Sequence, residues 1–169
     1  MNGDVPVLIR PASHADLEAL AEIYNHYVFH SHATFDTEPL QFEARQRWLN
    51  KYAKTGPYRL WLAERGHQIL GFASSNPYRD HPAFCQTVET SIYLAPTCQG
   101  QGVGSALYTR LFESLADQGL HRAIAGIALP NPASVALHQK FGFSEVGTFD
   151  EYACKNGVFI SSIWMQKKF

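Results

Sequence analysis

The chain has 169 residues, of which 46% are hydrophobic and 17% are charged, and its formal net charge at pH 7 is -1. Such a chain can bury a substantial core, so we expect one folded domain, residues 1–169, and not a disordered polymer. It has no run of five basic residues, so it offers no broad surface for nucleic acid, and no nucleic-acid partner is expected.

Cysteine usage and hydropathy predict a cytoplasmic protein. The three cysteines are an odd number and form no C-x-x-C pair, which favours free thiols in a reducing compartment over a disulfide framework. The opening stretch MNGDVPVLIRPAS lacks the charged start and apolar core of a signal peptide. No stretch approaches the roughly 18 uninterrupted apolar residues of a spanning helix, so no membrane partner is expected.

The N-terminal third is predicted to form a strand and two helices. The stretch VPVLIR predicts a short strand, and Ser13 with Asp16 three residues later is a capping box that begins a helix. Apolar side chains then recur at intervals of three and four, so one face of this helix is expected in the core. A second helix is predicted over about 39–54, ended by the TGP turn.

Three strands are predicted next. The stretches YRLWLAE and ILGFASSNPY, joined by the RGHQ turn, predict an antiparallel hairpin. In the following strand, QTVETSIYLA, side chains alternate between the two faces of the sheet. Glu89, Ser91 and Tyr93 are therefore expected on one face, with their even-numbered neighbours on the other.

The C-terminal part alternates helices and strands. The segment QGQGVGS opens a helix that ends at Gly119, and HRAIAGIAL reads as a strand covered on both faces. Asn131 is predicted to cap a short helix with Pro132 in its first turn. Two strands, about 144–150 and 158–166, flank the CKNGV turn. The predicted fold class is α/β, in the order βαα-βββ-α-β-α-ββ.

The segment QGQGVGS has the form of a phosphate-binding turn. Glycines between a strand and a helix leave backbone N–H groups exposed at the positive end of the helix dipole. A nucleoside triphosphate loop is excluded because no lysine follows Gly104, and a dinucleotide fingerprint because Ser105 replaces its last glycine. The pattern Gln99-x-x-Gly102-x-Gly104 remains, and spacing alone leaves open a connector that binds nothing.

This pattern resembles the acetyl-CoA loop of the GCN5-related N-acetyltransferases (GNAT), Q/R-x-x-G-x-G/A after the fourth strand. Downstream, NPASVALHQKFGF is similar to the family pattern N-x-x-A-x-x-L/F-Y-x-K-x-G-F. Together with IYNHYV, TFDTEP, TVETSIYL and GVGSALYTRL, these motifs resemble the phosphinothricin and methionine sulfoximine acetyltransferase branch. The resemblance covers nearly the whole chain and implies the GNAT fold, a mixed central β-sheet flanked by helices.

The resemblance implies acetyl-CoA as cosubstrate and places its contacts. The pantetheine arm is expected to pair with the backbone of Ile92, Tyr93 and Leu94. Asn131 and Lys140 occupy positions of further family contacts. The pyrophosphate is expected on the turn itself, formed by Gln99, Gly100, Gln101, Gly102, Val103, Gly104 and Ser105.

Two residues are predicted to carry the chemistry of acetyl transfer to an amine. An alkylammonium, with a pKa of about 10, needs a base at pH 7, and the resemblance implies Glu89. The strand pattern alone leaves open a surface carboxylate. His138 stands where most of the superfamily has tyrosine and is predicted to protonate the departing thiolate. A backbone N–H near Leu94 is expected to stabilise the oxyanion.

Recognition of the amine is predicted for the stretch NPYRDHPAF. The resemblance implies that Arg79 meets the substrate carboxylate, for which its planar fork is suited, although the residue alone equally fits a solvated loop arginine. The related W-R-P-F is replaced here by YRDH, so the sequence departs from the branch at this point. Tyr78, Phe35 and Thr34 are predicted to complete the pocket.

The remaining histidines and aromatic residues are given structural roles. His26, His30 and His32 lie close in sequence, but without H-E-x-x-H or a matched carboxylate no metal site is expected. A surface or subunit-contact role is preferred, and the resemblance implies a homodimer. Core or dimer-interface positions are predicted for Tyr24, Tyr27, Trp48 and Phe42.

The sequence therefore predicts an acetyl-CoA-dependent N-acetyltransferase that acts by direct transfer. The expected acceptor is a small amino acid or analogue such as phosphinothricin, methionine sulfoximine or methionine sulfone. One alternative is acetylation of a polyamine, an aminoglycoside or a protein N-terminus, although near-neutral charge gives no sign of an acidic groove for polycations. Another is a non-catalytic acyl-CoA-binding regulatory module, against which Glu89 and His138 argue.

Overall fold

The computed structural model describes residues 5–169. Residues 1–4, which belong to the opening stretch and to the predicted domain, lie outside the described residues. Within the described range the elements follow the predicted order. The strands are β1 Leu8–Pro11, β2 Leu60–Arg65, β3 Gln68–Pro77, β4 Thr87–Leu94, β5 Arg122–Ala128, β6 Ser144–Lys155 and β7 Val158–Lys168. The α-helices are α1 Leu17–His30, α2 Phe42–Leu49, α3 Val103–Leu115 and α4 Pro132–Lys140.

The strands of residues 5–169 form one seven-stranded sheet in the order β1-β2-β3-β4-β5-β7-β6. Neighbouring strands are antiparallel except β4 and β5, which are parallel. The crossover between these two strands runs through α3, as a parallel connection requires. The predicted mixed sheet flanked by helices is confirmed.

Helices cover both faces of the sheet. On one face, Phe72 of β3 contacts Trp48 of α2, with ring centroids 5.8 Å apart. On the other face, the Trp61 Nε1–H group of β2 donates to Ser114 Oγ of α3 at 3.1 Å. Because the register pairs Phe72 with Leu62, Trp61 points to the opposite side. Burial on both faces explains the nearly continuous apolar sequence of β2.

The start of α1 is the predicted capping box. Asp16 Oδ2 accepts hydrogen bonds from the Ser13 backbone N–H at 2.7 Å and from Ser13 Oγ at 2.8 Å. Arg10 holds both Asp16 oxygens, at 2.7 and 2.9 Å, and this hydrogen bonding lowers the pKa of Asp16 to about 2. A short 3-10 turn, His14–Asp16, precedes the α-helix.

Two predicted boundaries were wrong. The helix predicted over 39–54 is shorter, Phe42–Leu49, because the N–H groups of Lys51 and Tyr52 bond to carbonyls three residues back and turn the chain. The strand predicted over 144–150 continues to Lys155. A bulge opens between Phe149 and Ala153, where Glu151 has a positive φ of 44°, and pairing with β7 then resumes.

The core is divided into two clusters of buried side chains. The larger cluster joins β1, β2 and β3 with α1, α2 and α3. The smaller cluster lies around β5 and β7, and Val88 of β4 belongs to it. The smaller cluster contains Val88, Ala123, Ala125, Ile127, Phe143 and Met165.

Candidate active site

The central feature of the site is the separation of β4 from β5. These strands form only three residue pairs, the last of which joins Glu89 to Ile124. Beyond Glu89, β4 continues to Leu94 paired with β3 alone. The second half of β4 therefore borders a gap in the middle of the sheet.

The backbone of β4 presents hydrogen-bonding groups to this gap. The Ala95 N–H group donates to Leu70 O at 2.8 Å, which fixes the residue pairs of β3 and β4 that are hydrogen-bonded. Because such pairs alternate in an antiparallel ladder, Ile92 and Leu94 direct their N–H and C=O groups away from β3. One of these groups has a partner, since the Tyr27 hydroxyl donates to Leu94 O at 2.6 Å.

A cavity of about 240 Å³, here called the gap cavity, lies between β4, β5 and α4. Five of the predicted cofactor residues line it, namely Ile92, Tyr93, Leu94, Gln99 and Asn131. His138, predicted as the general acid, also lines it. Five of the twelve residues that the sequence assigned to acetyl-CoA therefore line one cavity, and the other seven, residues 100–105 and Lys140, are not part of its lining.

The glycine turn adopts the backbone conformation for which glycine is needed. Gly100 and Gly102 have positive φ angles of 75° and 77°, and Gly102 is the N-cap of the 13-residue helix α3. Gly104 has a different role, because a Cβ placed on it would lie 3.3 Å from Leu137 Cδ2. The first two glycines shape the turn, and the third lets α3 approach α4.

The other predicted cofactor residues surround the turn. Val103 is buried, so only its backbone can face a ligand. Lys140 Nζ donates to Ser105 Oγ at 2.9 Å, which brings a positive charge from α4 to the start of α3. Gln101 Oε1 accepts from Arg65 Nη1 at 3.3 Å. No local pattern predicted that Arg65, the last residue of β2, would lie beside this loop.

Glu89 stands at the point where the two strands part. It pairs with Asn76 of β3 and shares its face of β4 with Ser91 and Tyr93, as the alternation predicted. The side chain is half-buried, and this burial raises the pKa of Glu89 above its ordinary value. A carboxylate in this environment holds a proton more readily than one in water.

His138 is buried on α4 with both ring nitrogens engaged. Nδ1 lies 2.7 Å from Ser134 O, and Nε2 lies 2.8 Å from the Tyr108 hydroxyl. Burial lowers the pKa of His138, so the neutral form is favoured, with Nδ1–H donating to Ser134 O and Nε2 accepting from Tyr108. Tyr108 is fully buried, and this raises the pKa of its hydroxyl.

A second cavity, of about 450 Å³, lies between the sheet and helices α1 and α2, and is here called the helix cavity. Ser91 and Tyr93 line both cavities. Aromatic side chains of the two helices and of β3 form much of its wall, while Asp36 and three basic residues add charge. These residues include Tyr24, Trp48, Tyr52, Phe72, Asp36, Arg45, Arg47 and Lys51.

The four residues predicted to bind the amine lie outside both cavities. Thr34 is buried, with Oγ1 2.7 Å from the Tyr24 hydroxyl, whereas Phe35 is exposed. The Arg79 guanidinium lies 5.1 Å from the ring centroid of Tyr78, at the end of β3. A chain of neighbouring rings links Phe35 to Tyr78 through Tyr152, Phe149 and Trp164.

Most residues that line the helix cavity were not predicted as site residues from the sequence. Tyr24 and Trp48 were predicted as core or interface aromatics, and they do pack against the larger core cluster, but they also line this cavity. Phe42, predicted in the same way, is 55% exposed and is not part of the core. Periodicity marks an apolar helix face, but it does not distinguish a filled core from a cavity wall.

The histidines near the end of α1 are not gathered around a metal position. The His26 and His30 rings are 5.1 Å apart, and His32 Nε2 lies 3.0 Å from Pro130 O. Among residues 5–169, no group of three or more His, Cys, Asp and Glu side chains is arranged to hold a metal ion. All three cysteines are free thiols. In the same range no helix has the length and apolar character needed to cross a membrane.

The strand β4 separates from β5 and leads to the glycine turn at the N-terminus of α3. The free backbone of the strand suits an extended ligand, and the turn suits phosphate groups at the end of that ligand. Comparison with known proteins gives the family. Residues 17–143 match the acetyltransferase (GNAT) family. The chain belongs to this family.

Individual relatives are similar over nearly the whole chain. Phosphinothricin N-acetyltransferase of Streptomyces coelicolor is 47% identical over 169 residues, which cover 99% of each chain. A ribosomal-protein-alanine N-acetyltransferase of Brucella melitensis superposes with a TM-score of 0.91 at 36% identity, over 96% of this chain and 99% of that one. A phosphinothricin acetyltransferase of Sinorhizobium meliloti, solved with AcCoA, gives 0.88 at 30% identity, over 96% and 88%.

Proposed function

We propose that this chain transfers the acetyl group of acetyl-CoA directly to the amine of a small amino acid or amino-acid analogue. The observation that carries the proposal is the meeting of two cavities at β4, where Ser91 and Tyr93 line both. The gap cavity takes the thioester and the helix cavity side takes the amine. Glu89 lines neither cavity, and we propose that it acts from its position two residues before Ser91 on the same face of β4.

Acetyl-CoA is assigned to the gap cavity. The N–H and C=O groups of Ile92 and the N–H group of Leu94, which point away from β3, suit the amides of a pantetheine arm, which is itself a peptide-like chain. The N–H groups of the glycine turn, with the charge of Lys140, suit the pyrophosphate. Asn131 and Gln99 complete the contacts assigned to acetyl-CoA.

Glu89 is assigned as the general base. The alkylammonium gives one proton, through water or directly, to the Glu89 carboxylate, and the free amine then attacks the thioester carbonyl carbon. The tetrahedral intermediate loses a second nitrogen proton to water as the C–S bond breaks and the thiolate departs. The raised pKa brings this carboxylate closer to the pKa of its proton donor, which favours proton transfer. A backbone N–H near Leu94 is assigned to the oxyanion.

We propose that His138 donates a proton to the departing thiolate. Its hydrogen bonds show which protonation state this donation needs. In the neutral form its one N–H is used by Ser134 O. Donation therefore needs a second proton on Nε2, with the Tyr108 hydroxyl rotated to accept instead of donate. The direct test is His138→Phe, and an unchanged kcat at every pH would contradict the role.

The acceptor is assigned to the class of phosphinothricin, methionine sulfoximine and methionine sulfone. Support comes from the named activity of the Streptomyces coelicolor relative and from a Salmonella typhimurium relative, an L-methionine sulfoximine/L-methionine sulfone acetyltransferase that is 34% identical. Arg79 is proposed to pair with the acceptor carboxylate, with Tyr78, Phe35 and Thr34 around it. Basic residues of the helix cavity offer a second location for an acidic group.

A thiol-release assay with acetyl-CoA and a panel of amines tests the proposal. We expect turnover with phosphinothricin and methionine sulfone, and none with polyamines or aminoglycosides. Glu89→Gln is the matched control, because it keeps the size of the side chain and removes the base. If no amino-acid analogue causes thiol release, the proposal is refuted.

One second candidate has specific support. The Brucella melitensis protein is a ribosomal-protein-alanine N-acetyltransferase, and it is 36% identical to this chain. The amine panel therefore includes peptides that begin with alanine. A regulatory acyl-CoA-binding module, in contrast, would bind acetyl-CoA without releasing thiol from any amine.

We further propose that the chain is a single-domain cytoplasmic homodimer. Support for the dimer comes from exposed apolar side chains on the edge strand β6 and its hairpin with β7. These are Val146, Phe149, Tyr152, Val158 and Phe159. Sedimentation equilibrium of the full chain tests the oligomeric state, with a dimer mass expected.

A further inference from the structure

Lys155, near the end of β6, is buried against the C-terminal end of α1. It is only 6% exposed. Its Nζ group donates to Ser31 O at 2.7 Å, Thr34 O at 2.9 Å and Tyr27 O at 3.3 Å. An ammonium has three N–H donors, so the three carbonyl oxygens satisfy it completely.

A buried lysine with carbonyl partners is an uncommon way to end a helix. Glycine is the usual choice, because it satisfies the last carbonyls from within the same segment. Here the cation comes from a strand more than a hundred residues away in sequence, at the end of α1 where the helix dipole is negative. Lys155 therefore fixes the segment after α1 to the β6–β7 hairpin.

The segment held in this way, residues 31–36, is here called the junction loop. Ala33 lines the gap cavity, and Asp36 lines the helix cavity. The loop thus crosses the place where the two cavities meet. Any shift of its backbone changes the shape of both cavity walls.

Tyr24 holds the side chains of the same loop. Its hydroxyl donates to Asp36 Oδ2 at 2.6 Å and accepts from Thr34 Oγ1 at 2.7 Å. Lys155 holds the backbone through the carbonyls of Ser31 and Thr34. The junction loop is therefore fixed from two sides, by one residue of α1 and one residue of a distant hairpin.

We propose that Lys155 is a positioning residue for the acceptor amine: by binding the carbonyls of the junction loop, it places the wall of the acceptor site against β4. This rests on the proposed function. Lys155 does not touch either substrate, and its action passes through Thr34 and Asp36. The loop contributes one residue to each cavity, but Asp36 brings a charged side chain to the helix cavity whereas Ala33 brings only a methyl group to the gap cavity, so the gap cavity is affected less.

Steady-state kinetics of Lys155→Met tests the proposal. We expect the KM for the amine to rise about tenfold, as expected for the loss of a buried charged hydrogen-bonding group, while the KM for acetyl-CoA stays within about twofold. Lys168→Met is the matched control, because Lys168 lies exposed on the adjacent strand. In this control both KM values are expected to be unchanged.

Lys155→Arg provides the second variant and decides the question if Lys155→Met does not fold. A planar guanidinium keeps the charge but cannot aim three donors at three converging carbonyls, so the amine KM is expected to rise about threefold. An unchanged amine KM, or an equal rise in both KM values, would show a purely structural role. Absence of thiol release by the wild-type protein with every amine would instead refute the proposed function, and this inference with it.

Discussion

The two cavities that meet at β4 are built from different parts of the chain. The gap cavity is bordered by the outward-facing backbone groups of β4, by β5 and α4, and by Gln99 of the glycine turn. The helix cavity is bordered by large aromatic and charged side chains from α1, α2, the loops beside them and two strands, β3 and β4. A ligand held by backbone can be shared by a whole family, whereas one held by side chains can change with each substitution.

The largest expected effect is that of Glu89→Gln, which removes the proposed base from the point where β4 and β5 part. We expect kcat/KM to fall about a hundredfold or more, with the affinity for acetyl-CoA unchanged. Because burial raises the pKa of Glu89, wild-type kcat/KM should fall as the pH drops through that raised pKa. The pH profile of kcat/KM and calorimetric titration with acetyl-CoA measure the two parts. A normal rate in the variant would assign the base elsewhere.

Arg79→Met tests whether Arg79 forms the ion pair with the acceptor carboxylate. If the predicted pairing is correct, the amine KM should rise about tenfold to a hundredfold, and the KM for acetyl-CoA should not change. Arg47→Met, in the helix cavity, is the matched variant. A large effect in Arg47→Met and none in Arg79→Met would move carboxylate recognition into the helix cavity.

Gly102→Ala tests the proposed role of the glycine turn in binding acetyl-CoA. A side chain at a φ of 77° costs about 1–2 kcal/mol, so the turn should shift and the KM for acetyl-CoA should rise up to about tenfold. Gly119→Ala introduces similar strain at a φ of 68°, beyond the other end of α3. We expect this control to lose stability but to keep its KM for acetyl-CoA. Equal KM values in the two variants would contradict the assignment of the turn.

The smallest expected effect concerns the pH dependence of stability. Burial lowers the pKa of His138 in the folded state, so the unfolded chain binds the extra proton more readily. Wild-type stability should therefore decrease as the pH falls below about 6.5, and this decrease should be smaller in His138→Phe. Urea unfolding at pH 5 and pH 8 measures the difference, and an equal decrease in the two proteins would contradict the expectation.

Sequence patterns predicted the local structure of β4 and of the glycine turn well, because these patterns act over short distances. Strand alternation placed Glu89 and Tyr93 on one face, and glycine spacing marked Gly100 and Gly102, both of which have positive φ. The helix cavity depends on contacts between distant elements, such as the Tyr52 hydroxyl bond to Asn76 Oδ1 at 2.7 Å. Periodicity does not reveal contacts between distant elements. For this reason the hydrogen bonds of Asp36, Tyr108 and Lys155 were not predicted from the sequence.

Boundaries failed for a related reason. The bulge at Glu151 interrupts the period of β6, so a prediction based on alternation ended the strand before the hairpin with β7 was complete. Lys155 lies in the part that was missed. Because of the bulge at Glu151, the sequence did not place Lys155, the residue that binds the junction loop, in strand β6.

The division of the core into two clusters has a thermodynamic consequence. Only three residue pairs join β4 to β5, so a cosubstrate bound between them would tie together two halves that the sheet itself connects weakly. Such binding is linked to unfolding and would add about 2.7 kcal/mol of stability at a hundredfold excess over Kd. The melting temperature of this protein should then follow the acetyl-CoA concentration, and fall when the cosubstrate is depleted.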